Sequence, residues 1–181
     1  MPAVKHMKWW GWGVDGISFH HEDKPALGPF VREAVDVDVW SEPTAALKLE
    51  DLDIHPPKIG DELRAQLIEA VGAENVVDDA LERIIHTYGK SVRDLIRLRA
   101  GDIPRVPDVV VYPADESEVQ AIVDRSVAAD AVLIPFGGGS NISGSLQAPE
   151  NEARPVISAM SPYLSDCMPD DRVATQPPSV L

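Results

Sequence analysis

The chain has 181 residues, of which 44% are hydrophobic and 25% are charged, a composition typical of a soluble globular protein. Its formal net charge of −14 argues against a nucleic-acid-binding surface, because clustered Lys and Arg side chains must meet the phosphates. No apolar run approaches the roughly 20 residues that a membrane span needs. The single cysteine, Cys167, excludes an intrachain disulfide, so nothing points to secretion and we expect a cytoplasmic protein.

Residues 1–59 are predicted to form an irregular N-terminal segment. It contains MKWWGWG at residues 7–13, which places Trp9, Trp10 and Trp12 within four positions. The acidic charge disfavours a membrane anchor and a base-stacking platform, so we expect the indoles to pack against other parts of a larger protein. Without that partner surface they would be exposed or loosely packed.

Two shorter patterns lie later in this segment. Val35, Val37 and Val39 alternate with aspartates, which is the period of a strand. Residues 42–49 have room for one or two helical turns. His20, His21, Glu22 and Asp23 are adjacent rather than spaced as metal ligands, so no metal site is expected there.

Residues 60–103 are predicted to form a unit of three helices. The first places Leu63, Leu67, Ile68 and Val71 on one face before Gly72, and the second starts at Asp78 or Asp79 with Leu81, Ile84, Ile85 and Tyr88. The third starts at Ser91, with Asp94 at the capping-box position. It buries Val92, Leu95 and Ile96 and ends at Gly101.

His86 is expected to be a helix-surface or hydrogen-bonded histidine rather than a general base. Arg93, Arg97 and Arg99 are expected on a solvated face rather than in a phosphate clamp.

Residues 104–160 change to an alternating pattern of strand and helix. The apolar run from Val109 to Tyr112 predicts a buried strand, and a helix follows from Asp115, with Glu118 at the capping-box position and Val119, Ile122, Val123 and Val127 on its face. Residues 131–134 form a second strand, and residues 156–158 predict a third. The fold class is therefore α+β, with a strand–helix–strand unit that needs further strands to be stable. Residues 161–181, including Cys167, stay unassigned.

The second strand leads into PFGGGSNISG, residues 135–144. Glycines allow positive φ and close approach to the backbone, and successive N–H groups form a concave site that binds anions without lysine. The cofactor-binding candidates are Pro135, Gly137, Gly138, Gly139, Ser140, Asn141 and Ser143. The loop lacks the GK[ST] of a P-loop, and Ile142 replaces the third glycine of the dinucleotide fingerprint. A tight turn without a ligand is the alternative.

The stretch PDVVVYPADESEVQAIVDRSVAADAVLIPFGGGSNISG, residues 107–144, resembles the start of the FAD-binding domain of the PCMH/vanillyl-alcohol-oxidase superfamily. In those domains a P-x-x-V-x-x-P opening, here Pro107, Val110 and Pro113, precedes a helix, a strand and a glycine-rich loop that binds the FAD pyrophosphate. The resemblance implies that residues 135–144 bind FAD. The loop has no His or Cys that could form a flavin link, so the binding would be non-covalent.

MKWWGWG, the helical unit and HTYGKSVRDLIRLRAGDIPRVPDVVVYP widen the resemblance to alkylglycerone-phosphate (alkyldihydroxyacetonephosphate) synthases and bacterial FAD-binding oxidase relatives. It implies ether-lipid chemistry on an acyl-dihydroxyacetone phosphate, or oxidation of a hydroxy acid, with lipid-like or hydroxy-acid substrates. Members of that family are much longer and hold their acid/base residues in a separate cap domain. The chain is therefore expected to be a truncated member with no catalytic residues of its own, weak or absent FAD binding and no turnover. A non-catalytic remnant or interaction module is the alternative.

Overall fold

The computed structural model describes residues 7–17, 23–41 and 47–160. These ranges hold five α-helices: α1 (Leu27–Val35), α2 (Asp61–Val71), α3 (Ala80–Ile85), α4 (Val92–Arg99) and α5 (Glu116–Ala128). They also hold four strands: β1 (Val76–Val77), β2 (Val109–Val111), β3 (Val132–Phe136) and β4 (Val156–Met160). Short 3₁₀ turns cover Leu49–Asp51 and Ala73–Asn75. The expected α+β class is confirmed.

The four strands form one sheet in the order β1-β2-β4-β3. β4 runs parallel to both β2 and β3, whereas β1 pairs with β2 in the antiparallel direction. The strand–helix–strand unit is therefore present, but β2 and β3 are not neighbours because β4 lies between them. The third strand predicted at residues 156–158 is confirmed and extends to Met160 in a central position. Its first three residues are completely buried, as expected for a strand covered on both faces.

Two hydrophobic clusters form the main cores. In the first, α2 and α5 pack on the sheet, with Leu67, Val109, Ile122 and Ile157 at its centre. In the second, α3 and α4 pack with the segments that contain Trp9 and residues 49–54. Burial of each such side chain contributes roughly 1.5–3 kcal/mol relative to exposure. The predicted helices are confirmed, but they divide between two cores instead of forming one bundle, and the domain boundaries stay a prediction.

The local caps of the helices follow the sequence. The Asp79 side chain accepts from the N–H of Glu82, and that of Asp115 accepts from the N–H of Glu118. Ser91 and Asp94 form the complete capping box. Each cap satisfies donors that the first helical turn would otherwise leave unpaired.

The predicted buried faces of α4 and α5 were partly wrong. Val92 and Ile96 are 61% and 62% exposed, whereas Leu95 and Leu98 are buried. On α5, Ile122 and Ser126 face the sheet, while the side chains of Val119 and Val127 are exposed. Helix spacing alone allowed more than one apolar stripe on each helix, and the position of the neighbouring elements selects between them.

The strand-like alternation of Val35, Val37 and Val39 does not correspond to a strand in the structure. Residues 27–35 form α1, which ends where Asp36 adopts a left-handed conformation with φ of 54°. All three valines are exposed. Alternation does not produce a strand here, since no strand of the described ranges pairs with these residues. One or two helical turns were expected at residues 42–49. Residues 42–46 of this stretch lie outside the described ranges.

A buried ion pair fastens the amino ends of two parallel strands. Arg105 donates two hydrogen bonds to Asp108, at 2.6 and 3.0 Å, and both residues are almost fully buried. Asp108 also accepts from the N–H groups of Val156 (2.7 Å) and Lys58 (2.9 Å). Burial alone would raise the pKa of Asp108, but the hydrogen bonds from Arg105 and the two backbone groups hold it below its usual value. The start of β2 is thereby fixed against the start of β4.

Candidate functional site at the carboxyl ends of the strands

The glycine loop, residues 137–144, begins directly after Phe136 at the end of β3. Because β2, β4 and β3 are parallel, their carboxyl ends meet at one edge of the sheet, which is where open α/β sheets bind ligands. Gly139 is buried, whereas Ser140 is exposed. Within the described ranges, the N–H groups of Gly138, Gly139 and Ser140 donate no hydrogen bond to the protein. These donors can therefore serve a bound anion.

Neighbouring glycines in this loop have different functions. Gly139 has φ of +66°, and a Cβ there would lie 2.8 Å from Phe136 Cζ, so both the backbone and the packing require glycine. A Cβ at Gly138 would meet no atom within 4 Å among the described residues. Gly139 therefore makes the turn, whereas Gly138 leaves one side of the loop open to an approaching group.

Asn141 stabilises the loop from within. Its Oδ1 accepts from the N–H groups of Ser143 and Gly144, both at 3.1 Å. Its Nδ2 donates to the hydroxyls of Ser145 (2.7 Å) and Ser143 (3.2 Å). The sequence predicted Asn141 and Ser143 as donors to a cofactor, and that role remains a prediction. In this structure their polar groups bond to each other and fix the shape of the loop.

Pro135 lies in β3 rather than in the loop. It pairs with Ala159 of β4, is exposed, and stands on an edge strand, where proline is tolerated. Because proline has no N–H, it cannot donate to an anion through its backbone. Its role as a cofactor-binding residue therefore stays a prediction. Pro135 could contact a cofactor only through its ring or its carbonyl oxygen.

The α3–α4 connection, residues 86–91 (HTYGKS), packs directly against the glycine loop. The N–H of Lys90 donates to the carbonyl oxygen of Asn141 at 2.7 Å. A Cβ at Gly89 would lie 2.7 Å from the Asn141 carbonyl carbon and closer still to its oxygen. Only glycine allows the two backbones to approach so closely. The sequence showed Gly89 as a helix end, but its contact across the fold gave no sequence signal.

His86 is buried beneath the same loop. Its ring stacks on Phe136 with centroids 3.8 Å apart and an interplanar angle of 20°. Its Nδ1 lies 2.8 Å from Ser158 Oγ, and its Nε2 lies 3.3 Å from a Glu82 carboxylate oxygen, which also accepts from the Tyr112 hydroxyl. The expectation of a hydrogen-bonded histidine is confirmed.

Burial keeps His86 neutral. Burial lowers its pKa, and the Glu82 carboxylate opposes this only in part. In the neutral ring, Nε2 carries the proton and faces Glu82, so Nδ1 accepts from the Ser158 hydroxyl. The order Ser–His–Glu is that of a hydrolytic triad. Ser158 is completely buried in β4, however, so its hydroxyl has no access to a substrate.

The tryptophan segment, residues 7–13, is attached to the α3–α4 connection. Trp12 Nε1 donates to the carbonyl of Lys90 at 2.9 Å, and Lys90 Nζ donates to the carbonyl of Lys8 at 2.8 Å. Trp9 packs against the α3–α4 core. Trp10 and Trp12 are 36% and 57% exposed, so the expected looser packing applies to these two and not to Trp9.

The arginines of α4 were predicted to occupy a solvated helix face. Arg93 and Arg99 are exposed, and Arg99 Nε donates to the carbonyl of Trp10 at 3.0 Å. Arg97 is half-buried over the Tyr88 ring and bonds to Asp102 (2.7 Å) and Gln147 (2.9 Å). The prediction is confirmed for Arg93 and Arg99. Arg97 differs from the prediction, because its guanidinium group contacts other side chains of the protein.

Most residues of the predicted His–Glu cluster and the single cysteine are not among the described residues. His20, His21, Glu22 and Cys167 lie outside the described residues. In the described part of the chain, no group of three or more His, Cys, Asp or Glu side chains could hold a metal ion. None of the helices in the same ranges is long and apolar enough to cross a membrane.

Comparison with known proteins decides the relationship. No protein-family model matches the chain. The chain is 34% identical over 175 residues to the alkyldihydroxyacetonephosphate synthase of Dictyostelium discoideum, which covers 84% of this chain and 28% of that protein. The chain is homologous to alkyldihydroxyacetonephosphate synthases. The synthase of Caenorhabditis elegans is 32% identical over 171 residues and is matched over 28% of its length.

Solved structures agree with the sequence relationship. A structure of an alkyldihydroxyacetonephosphate synthase superposes with a TM-score of 0.74 at 34% identity, over 84% of this chain and 32% of that one. A second structure of a protein of that name gives the same score and covers 31%. The chain therefore has the fold of one part of a synthase, and it spans about 28% of the length of the curated relatives.

Proposed function

We propose that the glycine loop binds the pyrophosphate of FAD non-covalently, as part of a PCMH-type flavoprotein related to alkyldihydroxyacetonephosphate synthase. The main support is the space beside Gly138, next to the N–H groups of Gly138, Gly139 and Ser140, which donate to no other group among the described residues. The homology to the synthases supports the choice of FAD over other phosphate-containing ligands.

Backbone donors suit a protein of this charge. The net charge of −14 disfavours long-range attraction of an anion, so binding has to depend on local groups. Three successive N–H groups at the end of a strand supply partial positive charge without a lysine. Asn141 holds the following residues in place, so little ordering of the loop would be needed when the ligand binds.

The reaction of the parent enzyme belongs to the same proposal. It is exchange of an acyl for an alkyl group on acyl-dihydroxyacetone phosphate in ether-lipid synthesis, or oxidation of a hydroxy acid by a relative. We assign no catalytic residue within these 181 residues. A loop that contacts only the pyrophosphate makes few of the contacts that FAD offers, so these residues by themselves are expected to bind FAD weakly. Action in the cytoplasm is part of the proposal.

A non-catalytic interaction module is the second candidate. It is favoured by the hydrogen bonds that Asn141 and Ser143 make to each other, which leave fewer side-chain donors for a ligand. Exposed apolar side chains such as Phe30 and Trp40 also suit a protein surface that is covered by a partner.

Titration of the chain with FAD, ADP and riboflavin separates the two candidates. A pyrophosphate-binding loop predicts weak saturable binding of FAD and of ADP, and no binding of riboflavin, which lacks the pyrophosphate. Absence of binding by all three ligands would support the interaction module. Tight stoichiometric FAD binding with a yellow protein would contradict the expected weak affinity, and binding of riboflavin alone would exclude the loop as the site.

A further inference from the structure

We propose that the tryptophan segment and the α3–α4 connection together position the glycine loop before any ligand binds, with Gly89 as the residue through which they act. The inference rests on the proposed function for its ligand, but its structural part concerns the loop without ligand. It assigns a positioning role to MKWWGWG and HTYGKS, two stretches whose contribution to the site was not predicted.

The contact between the connection and the loop is made by backbone atoms. Gly89 approaches the Asn141 carbonyl so closely that any side chain would collide with it. The adjacent N–H of Lys90 bonds to the same carbonyl oxygen at 2.7 Å. The backbone position of Asn141 is therefore set from outside the loop.

Asn141 transmits this position to the rest of the loop. Its side chain accepts hydrogen bonds from the N–H groups of Ser143 and Gly144. Its backbone follows directly after residues 138–140, whose N–H groups are unused in the described part of the chain. A shift of the Asn141 carbonyl would therefore change the direction of those donors. Anion binding by backbone groups needs convergent N–H directions, so such a shift would weaken it.

The connection is itself held from two other sides. Beneath it, the His86 ring stacks on Phe136, the last residue before the loop. On the opposite side, Trp12 bonds to the Lys90 carbonyl, and Lys90 Nζ bonds to the Lys8 carbonyl. Met7 also reaches the loop, since its Cε lies 3.5 Å from the position that a Gly139 Cβ would take. The tryptophan segment thus packs behind the loop and on the connection that supports it.

Amide hydrogen exchange in the ligand-free chain tests this positioning. Ser143 and Gly144 are the probes, because their N–H groups bond to Asn141 and the three atoms nearest to a Gly89 Cβ all belong to Asn141. The Gly89→Ala variant is expected to raise their exchange rates by about tenfold or more, with little change in the strands β2 and β4. Unchanged exchange in a folded Gly89→Ala protein would overturn the proposal.

Two control variants separate positioning from a general loss of stability. Gly60 has ordinary φ, and a Cβ there meets no atom within 4 Å in the described part of the chain, so Gly60→Ala should leave the loop unchanged. Val71→Ala opens a gap in the α2 core and should raise exchange across the sheet without selecting the loop. A loop-selective rise in Val71→Ala would also contradict the proposal.

A milder variant applies if Gly89→Ala does not fold. Trp12→Phe removes the hydrogen bond to Lys90 from a side chain that is 57% exposed, so the fold should be kept. We expect about threefold faster exchange at Ser143 and Gly144, and no change would overturn the proposal.

FAD titration of the same variants is a separate measurement. Failure of the unmodified chain to bind FAD rejects the proposed function, while the exchange rates still decide the positioning.

Discussion

The two ends of the parallel strands differ in how their polar groups are satisfied. At the amino ends, Arg105 and Asp108 bond to each other and to the backbone around them, including the carbonyls of Val106 (2.6 Å) and Arg154 (3.1 Å). At the carboxyl ends, the donors of residues 138–140 stay unused among the described residues. Among the described residues, the amino-end edge is therefore closed by protein contacts, and the carboxyl-end edge is open in the sense that its backbone donors are unused.

Buried cations show the same contrast. Arg105 has a carboxylate partner at the amino-end edge. Lys90, close to the carboxyl-end edge, is also buried, but no carboxylate of the described ranges forms a salt bridge with it. Burial lowers the pKa of Lys90 from 10.5 to about 8. Burial disfavours the charged form of Lys90, which has no carboxylate partner in the described part of the chain, whereas Arg105 at the closed edge is paired with Asp108.

Breaking the closed edge should have the largest effect on stability. Asp108→Asn leaves the buried Arg105 without its charge partner, so the free energy of unfolding should fall by about 3–5 kcal/mol. Urea denaturation measures this. Asp102→Asn removes the carboxylate of an exposed pair with Arg97 and should change stability little. If both substitutions lowered the free energy of unfolding equally, the buried ion pair at the amino-end edge would not be the stronger stabilising contact.

The turn of the glycine loop should be the next most sensitive feature. Gly139→Ala places a side chain at positive φ and 2.8 Å from Phe136, so it should destabilise the chain by about 1–3 kcal/mol. Thermal or urea unfolding gives the value. A neutral Gly139→Ala would show that the loop does not need the left-handed turn.

The buried lysine predicts a smaller, pH-dependent effect. The unfolded chain holds the Lys90 proton up to a pH near 10.5, whereas the folded chain releases it near pH 8, so stability should rise as the pH increases between these values. In Lys90→Met this contribution is absent, and the difference between the two unfolding curves isolates it from other titrating groups. Parallel pH profiles of the two proteins would show that Lys90 titrates normally.

Gly138 should affect stability least and ligand binding most selectively. Because a Cβ there meets no atom of the described residues within 4 Å, Gly138→Ala should unfold like the unmodified chain, within about 0.5 kcal/mol. The methyl group would occupy the side of the loop from which the pyrophosphate approaches, so ADP and FAD binding should be lost. Retained binding in this variant would place the ligand elsewhere.

Local features of this fold were predictable from the sequence. The helix starts at Asp79, Ser91 and Asp115 follow from side chains that cap their own first turn, and the runs at β2 and β3 are uniformly apolar. The central position of β4 was not predictable, because strand order depends on pairing between distant segments. The alternating valines around the end of α1 have the period of a strand but form none, because no strand of the described residues pairs with them.

The candidate site was predictable only in outline. Three glycines after an apolar strand indicated an anion-binding loop, which stays a prediction, and the structure places these residues directly after the carboxyl end of β3. The internal bonds of Asn141, the contact of Gly89 and the stack of His86 on Phe136 depend on residues that the chain brings together from far apart. Such contacts leave no local pattern, so sequence reasoning could name the loop but not its support.

An NMR titration of ¹⁵N-labelled chain with FAD tests the open edge most directly. If residues 138–140 bind FAD, the amide resonances of Gly138, Gly139 and Ser140 should shift progressively with FAD. Those of Asp108 and Val156 at the closed edge should not shift. FAD-dependent shifts that are confined to other surfaces, or the absence of any shift at saturating FAD, would contradict FAD binding by these residues.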